Sequence, residues 1–531
     1  MKKKVIATIL ALVMVGSMLA GCGANQAAGT QDSATQDSSS QDAESDSQDA
    51  ESESQDSAAG EEDKDPETES AAEDLEYVEL TWYYRAEALP EQDMVFEKAN
   101  EIFMKEINAK VNFVPIAPSD YEQKMQTKYA SGDAGDINFT SSWTNKYAQN
   151  VAKGAFYEMD ELLDEYAPGV KEFFTEDQWN AVKINGKIYG IPNAQIFAKS
   201  GNLTVRKDLA EKYGLDITTV HSLADLEPFM EQAHSEEGLL FERYGATAGW
   251  INVIYAYGFD DISAYAYVRA NDPELQVVNP YATEEFAEFC TQAKDWADKG
   301  YIANDAMVKK DMEAELKAGK IAARARGVYK PGVEIQEVTQ WGSDVELVAT
   351  MLGDEALLTT SGITSTISAI PASSKNPERA MMALELINTN PELFNLISYG
   401  IEGQHYEKVG ENMVRQTAKD KYAGIPWMMG NTFIGYILEG SPEDLNEATI
   451  ELNNSAKASE AMGFVFDAEP VKTQVAQVQT VIDEYLPALN CGAVKDVGTA
   501  IDEFNSKLEG AGMNDIVAEA QAQIDAWKTT K

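Results

Sequence analysis

Hydrophobic and polar positions divide the chain into three stretches. The first, Val5 to Leu19, is an apolar run broken only by Thr8, Gly16 and Ser17, and Lys2, Lys3 and Lys4 precede it. A basic start before an apolar stretch too short to span a bilayer reads as a secretory signal rather than a membrane helix. The second stretch, residues 23–74, holds almost no apolar bulk. It runs as loose repeats such as Gln31-Asp32-Ser33, Gln36-Asp37-Ser38 and Gln41-Asp42-Ala43, with Lys64 its only base. Such a segment buries too little apolar surface to offset its chain entropy, so a disordered tether is expected, with a root-mean-square reach of about 40 Å. An acidic interaction tail is the rival reading. The third stretch begins at Leu75 and has ordinary globular composition, long enough for more than one domain.

Periodicity gives the third stretch its elements. Tyr77–Tyr84 is a strand by its β-branched and aromatic content. A helix follows over Glu91–Asn108 with Phe96, Ile102, Phe103 and Ile107 on its apolar face. Then come a strand at Lys110–Pro115, a helix at Ser119–Tyr129 and a strand at Ile137–Thr140. This β-α-β-α-β order predicts a parallel sheet with helices on its faces. Helices are expected over Met159–Tyr166, closed by Pro168-Gly169, and from Thr175, where Gln178 completes a capping-box spacing. Asn185 to Pro192 reads as a hairpin turn into an edge strand. Leu203–Val205 is a strand, Lys207–Tyr213 a helix stopped at Gly214, and Ser222 with Asp225 opens a helix to His234. Later helices are expected to begin at Thr283, Asn376-Pro377, Asn390-Pro391 and Ser441-Pro442, each with a cap residue. The end of the chain is helical over Val471–Leu486, Thr499–Leu508 and Asn514–Trp527.

Charge and reactive residues narrow the function. The formal net charge is −47, and the folded part is acidic too. This excludes nucleic acid and docking on an anionic membrane surface as partners. His221, His234 and His405 make no metal-ligand spacing, no phosphate-binding glycine loop follows a strand, and no Gly-x-Ser-x-Gly elbow occurs. No metal and no cofactor is therefore expected. Cys290 and Cys491 read as two buried thiols or as a long-range disulfide. A glycosidase would need carboxylates paired across a cleft; Glu87, Glu402 and Asp467 are available, but nothing in the sequence pairs them.

Two resemblances add an address and a fold. Leu19-Ala20-Gly21-Cys22 resembles the lipobox of bacterial lipoproteins. That implies a signal peptide over residues 1–21 and lipid on Cys22, with the acyl chains giving stable anchoring. The folded part resembles the extracellular solute-binding proteins of ABC transporters, in the carbohydrate-binding group that includes maltose-binding protein. Tyr129 to Ile137 is similar to that family's "sGd.pDi" segment, with Gly135 in place of the usual proline. Phe156 to Leu163 resembles its "l..Ldell" segment, Asn185 to Pro192 its "nGKiYgiP" hinge strand, Val205 to Leu209 its "yn.dll" segment and Ala318 to Ala323 its "GkaAm" strand. Ser398 to Tyr406 and Gly463 to Asp467 look like a Firmicute lipoprotein subgroup, often named LipO-like, with a C-terminal domain of unknown function. Each motif alone is weak; their order along Leu75 to Lys531 is what carries the resemblance.

The resemblance implies an α/β, two-lobed periplasmic-binding-protein-like fold of type II, with a hinge between lobes and a helical C-terminal region. The first lobe would take residues 75–192, the second 193–345, the first again 346–414, and the second with the helical end 415–531, after the lipidated cysteine and tether of 22–74. It further implies a monomeric receptor that is no enzyme, held on the extracellular face of a Gram-positive-type cell membrane by its lipid alone. The receptor closes on a carbohydrate, an oligosaccharide, and delivers it to ABC permease subunits. A peptide or other solute, or a surface sensor or adhesin, is the alternative. Sugars are held by aromatic faces and planar polar groups, and strand ends in an open α/β sheet face the crevice. The candidates are therefore Trp82, Tyr84 and Arg85 at the first strand, Trp143 and Asn145 after the third, and Asn193 and Gln195 after the hinge strand. Tyr329, Tyr406, Trp427 and Asn431 complete the set. Trp82, Trp143 and Trp427 are favoured over Trp250 and Trp341, and Trp179, Trp296 and Trp527 are expected in cores.

Overall fold

The computed structural model describes residues 75–243, 249–342 and 345–529. The expected signal peptide, Cys22 and the expected tether, all within residues 1–74, lie outside the described residues. Two five-stranded sheets organise the remainder. In the first, the hydrogen-bonded order is Ala109–Ile116, Val78–Arg85, Ile137–Thr140, Ile367–Ala369, Ile191–Pro192. Its first three strands are parallel, as the β-α-β-α-β reading predicts, and Ile367–Ala369 runs antiparallel to both neighbours. In the second, the order is Lys457–Ala458, Leu347–Leu358, Ala198–Arg206, Ile321–Val328, Leu240–Glu242. Ala198–Arg206 is central there, with an antiparallel partner on each side.

Local chemistry explains where the elements stop. The helix Gln92–Ile107 buries Val95, Phe96, Ala99, Phe103 and Ile107 against the first sheet, one face at helical spacing. Thr175 and Gln178 form the expected capping box. Asn185 and Gly186 take φ of 52° and 78° between two short antiparallel strands, the left-handed pair a tight hairpin needs. Gly135 explains the departure from the family's proline: its φ is +68°, which a proline ring forbids, and a Cβ there would lie 2.8 Å from the Thr81 carbonyl oxygen. Three expectations shift. The helix expected to open at Ser222 begins at Glu227, after a turn over 223–226. Pro168 opens the helix Pro168–Phe173 instead of closing the one before, because a first-turn N–H has no helical partner to lose. Ser441-Pro442 forms a turn, and the helix begins at Leu445.

Each sheet has its own hydrophobic core. The C-terminal helices Lys472–Asn490, Val497–Gly510 and Met513–Lys528 belong to the second lobe, where Leu489, Phe504 and Leu508 pack with Phe286 and Phe289 of the helix Glu284–Lys299. Cys290 and Cys491 are buried and form no disulfide, the first of the two readings. Among the described residues no helix is long and apolar enough to cross a membrane.

The chain passes between sheets three times. It leaves the first after Pro192, returns after Leu358, and leaves again to reach Lys457. Two expected boundaries therefore move. Leu347–Leu358 pairs with Ala198–Arg206, so the first lobe resumes after Leu358 and not at residue 346. Met428 and Met429 sit in the first core, so 415 is also too early for the second lobe. The first error has a physical cause: an amphipathic strand shows which of its faces is buried, not which sheet it joins.

Candidate functional site

The candidate site lies where the first sheet meets the crossings. The third strand, Ile137–Thr140, is buried throughout. Its Phe139 ring stands 6.2 Å from that of Trp143 and 6.1 Å from that of Trp427. Both tryptophans are open, 47% and 36% exposed. Two indoles on a buried phenylalanine form an exposed aromatic platform.

The loop carrying Trp143 is fixed by side chains folding back on backbone. Ser141 Oγ donates to the Thr144 carbonyl at 2.8 Å and accepts from the Thr144 N–H at 2.9 Å. Asn145 takes φ of 45°, and its Nδ2 donates to the Phe139 carbonyl and to the Tyr129 hydroxyl, each at 2.9 Å. Trp143 Nε1 then donates to the Ser365 carbonyl of the second crossing at 2.9 Å. The Arg85 guanidinium lies over the Trp143 ring, 5.1 Å from its centroid.

The first crossing holds Trp427 in turn. Asn193 Nδ2 donates to the Met428 carbonyl at 2.7 Å, and Asn193 Oδ1 accepts from Gly430 N–H at 3.2 Å and Ser368 Oγ at 3.0 Å. Gln195 Nε2 donates to Thr366 Oγ1 at 2.6 Å and to the Trp427 carbonyl at 3.2 Å. Trp143, Gln195 and Trp427 therefore share one hydrogen-bonded frame with residues 365–366.

Not every expected residue belongs to it. Trp82 is 1% exposed and stacks on Phe113, 5.5 Å away, beneath the helix Gln92–Ile107. Tyr84 is buried on the same side of the strand, and burial raises its phenol. Strand alternation is the reason: Leu80, Trp82 and Tyr84 all point to the core. Asn145 and Asn193 are buried frame residues, offering no free amide to a ligand. Asn431 is buried too and caps the Phe433 N–H at 3.0 Å. Tyr406 packs with Tyr399 and Val414 in a separate small sheet. Tyr329 is half-buried at the end of Ile321–Val328, its N–H reaching the Ser200 carbonyl at 3.4 Å, on the hinge side of the second sheet. Trp250, Trp341, Trp179 and Trp296 are core, and Trp527 is half-buried against Phe464.

His405 is fully buried: its Nδ1 accepts the Ile401 N–H at 2.9 Å, which leaves Nε2–H to donate to Glu91 at 3.1 Å. Of the acids available to a glycosidase, Glu402 pairs with Lys408 at 3.4 Å and Asp467 accepts the Glu469 N–H at 3.0 Å.

Sequence reading missed a charged cluster at the crossings. Asp261 accepts from the Tyr255 hydroxyl at 2.9 Å and from Ser361 Oγ of the second crossing at 3.2 Å. Its neighbour Asp260 is buried, and that burial together with the Asp261 charge pushes its pKa up to about 7; Ser459, beside the third crossing, opposes the rise. Burial lowers the pKa of Lys199, just past the first crossing, while both aspartates raise it. The signal was present: two consecutive acids in the aromatic run Tyr255 to Phe259-Asp260-Asp261. Phe139 and the Ser365 carbonyl carried no comparable mark.

With this geometry in place, comparison with known proteins is informative. The family model for bacterial extracellular solute-binding proteins matches residues 98–398, and a domain of unknown function matches residues 460–529. The chain belongs to the bacterial extracellular solute-binding proteins. A carbohydrate ABC transporter substrate-binding protein of Streptococcus pneumoniae is 28% identical over 456 residues, covering 83% of this chain and 89% of that protein. The lipoprotein LipO of Bacillus subtilis is 24% identical over 317 residues, 56% of this chain and 61% of that one. The crystal structure of the N-glycan transport solute binding protein of Streptococcus pneumoniae superposes with a TM-score of 0.76 at 26% identity, covering 86% of this chain and 100% of that one. The fold is thus the two-lobed solute-binding one. For the same protein in complex with Man1GlcNAc and with Man5GlcNAc, the TM-score is 0.67 and 0.63.

Proposed function

We propose that this chain is the extracellular receptor of an ABC importer, capturing an oligosaccharide between its lobes and presenting it to permease subunits. The observation that carries the reading is the exposed pair Trp143 and Trp427 on Phe139, framed by two crossings. Indole faces pack on the apolar C–H face of a pyranose at little cost in side-chain entropy. The glycan complexes of the pneumococcal relative support a carbohydrate ligand. The receptor acts as a monomer without chemistry of its own. Cys22 bears the lipid, and the acidic stretch behind it lets the lobes search while staying on the cell surface.

A thermal-shift screen with oligosaccharides and peptides tests this. A ligand at 100 times its dissociation constant adds about 2.7 kcal/mol of stability. An oligosaccharide is expected to give that shift. No shift with any glycan and a clear one with peptides overturns the reading, and steady release of sugar by the purified protein overturns the absence of chemistry.

A further inference from the structure

Arg85 and the buried Arg243 stand apart from the other arginines: each lies over an aromatic ring and neither makes an ion pair among the described residues, but Arg85 is the one on the aromatic platform. The chain carries 89 acidic residues against 42 basic ones, so a guanidinium has carboxylates to choose from. Arg206 pairs with Asp208, Arg269 with Glu285, Arg324 with Glu337 and Arg415 with Glu439, while Arg379 donates to the Glu76 and Ile107 carbonyls. Among the described residues the Arg85 side chain makes no ion pair and no hydrogen bond; it lies over the Trp143 ring, and its charge also reaches the buried Tyr121 phenol. It is half-buried at the C-terminal end of the first strand, on the aromatic platform itself.

A clamp for Trp143 is a poor account of that arrangement. The indole is already fixed by its Nε1 bond to Ser365 and by the Ser141–Asn145 loop. What the contact does is hold a planar cation over an aromatic face, its N–H donors without a protein acceptor. A second lobe closing on the platform, as the proposed function requires, strips water from those donors. A ligand bringing only hydroxyls compensates a desolvated guanidinium weakly, whereas a carboxylate meets it with two parallel charge-assisted bonds.

We propose that Arg85 makes this site selective for oligosaccharides bearing a carboxylate sugar, a sialate or a uronate, whose carboxylate it binds while a pyranose ring packs on Trp143. The proposal rests on the carbohydrate reading above and assigns it a class of sugar. The test is calorimetric titration of the full chain with two matched pairs. One is a sialylated N-glycan and its desialylated form; the other is trigalacturonate and its methyl ester. In at least one pair the acid is expected to bind about tenfold more tightly than its neutral partner, and which pair responds separates sialate from uronate. Arg85→Lys is expected to keep part of that ratio. Arg85→Ala and Arg85→Gln, each confirmed folded by thermal melting, are expected to bring it to one. Equal binding of acid and neutral forms by the wild type, or a ratio that survives both neutral variants, overturns the proposal and leaves the carbohydrate reading intact. Binding of none of the four, with a clear shift on peptides, overturns both.

Discussion

Trp82 lies within, and Trp143 just beyond, neighbouring parallel strands of one sheet, and the two have opposite fates. Trp82 lies within its strand, in phase with Leu80 and Tyr84, and is sealed under a helix against Phe113. Trp143 lies three residues beyond the end of its strand, in a loop locked by Ser141 and Asn145, and is 47% exposed. Residue type and nearness to a strand end are shared; phase is not. Inside a strand the period of two decides which face a ring takes, whereas past the end the loop's own hydrogen bonds decide.

The comparison sharpens under mutation. Trp82→Ala should cost about 3–5 kcal/mol of unfolding free energy, as large core truncations do, with a lower denaturant midpoint as its signature. Trp143→Ala should stay within about 1 kcal/mol of wild type in the same measurement. A large loss at Trp143 would mean that the platform is core. Asn193→Ala should fall between them, at about 1–3 kcal/mol, because it leaves the buried Gly430 N–H and Met428 carbonyl without their partner. It should also weaken ligand binding by loosening the Trp427 loop, and unchanged affinity would detach that loop from the site. Smaller is the loss from Thr175→Ala, about 1 kcal/mol, a cap removed far from either tryptophan.

The crossings add a dependence on pH. Folded Asp260 titrates at about 7, and an unfolded aspartate at about 3.9. Between those values the native state holds the extra proton, so stability falls as pH rises through the window and levels off above it. Asp261 and Lys199 face Asp260 and set the size of the effect. Asp260→Asn should flatten the decline in melting temperature between pH 5 and 7.5, measured by calorimetry. A decline as steep as wild type would assign it to other groups.

Much of the first lobe was legible in sequence, because local patterns determine it: alternation for its strands, 3.6-residue periodicity for its helices, a capping box at Thr175, a hairpin at Asn185-Gly186. Sheet membership was not. Nothing local in Leu347–Leu358 marks Ala198–Arg206 as its partner, since pairing is set by residues about 150 positions away. The site was legible in part. Arg85, Trp143, Gln195 and Trp427 come together, while Trp82, Tyr84, Asn145, Asn193, Asn431 and Tyr406 are taken by core or frame. Tryptophan and asparagine serve sugar binding and structural pinning equally well, and only burial separates the two uses.

The central claim is that the ligand sits on the Trp143–Trp427 platform. Its most direct test is calorimetric titration of wild type and Trp143→Ala with the oligosaccharide that gives the largest thermal shift. The account predicts at least a tenfold loss of affinity, about 1.4 kcal/mol, in a variant whose unfolding midpoint is near wild type. Equal affinity in the two proteins would contradict it.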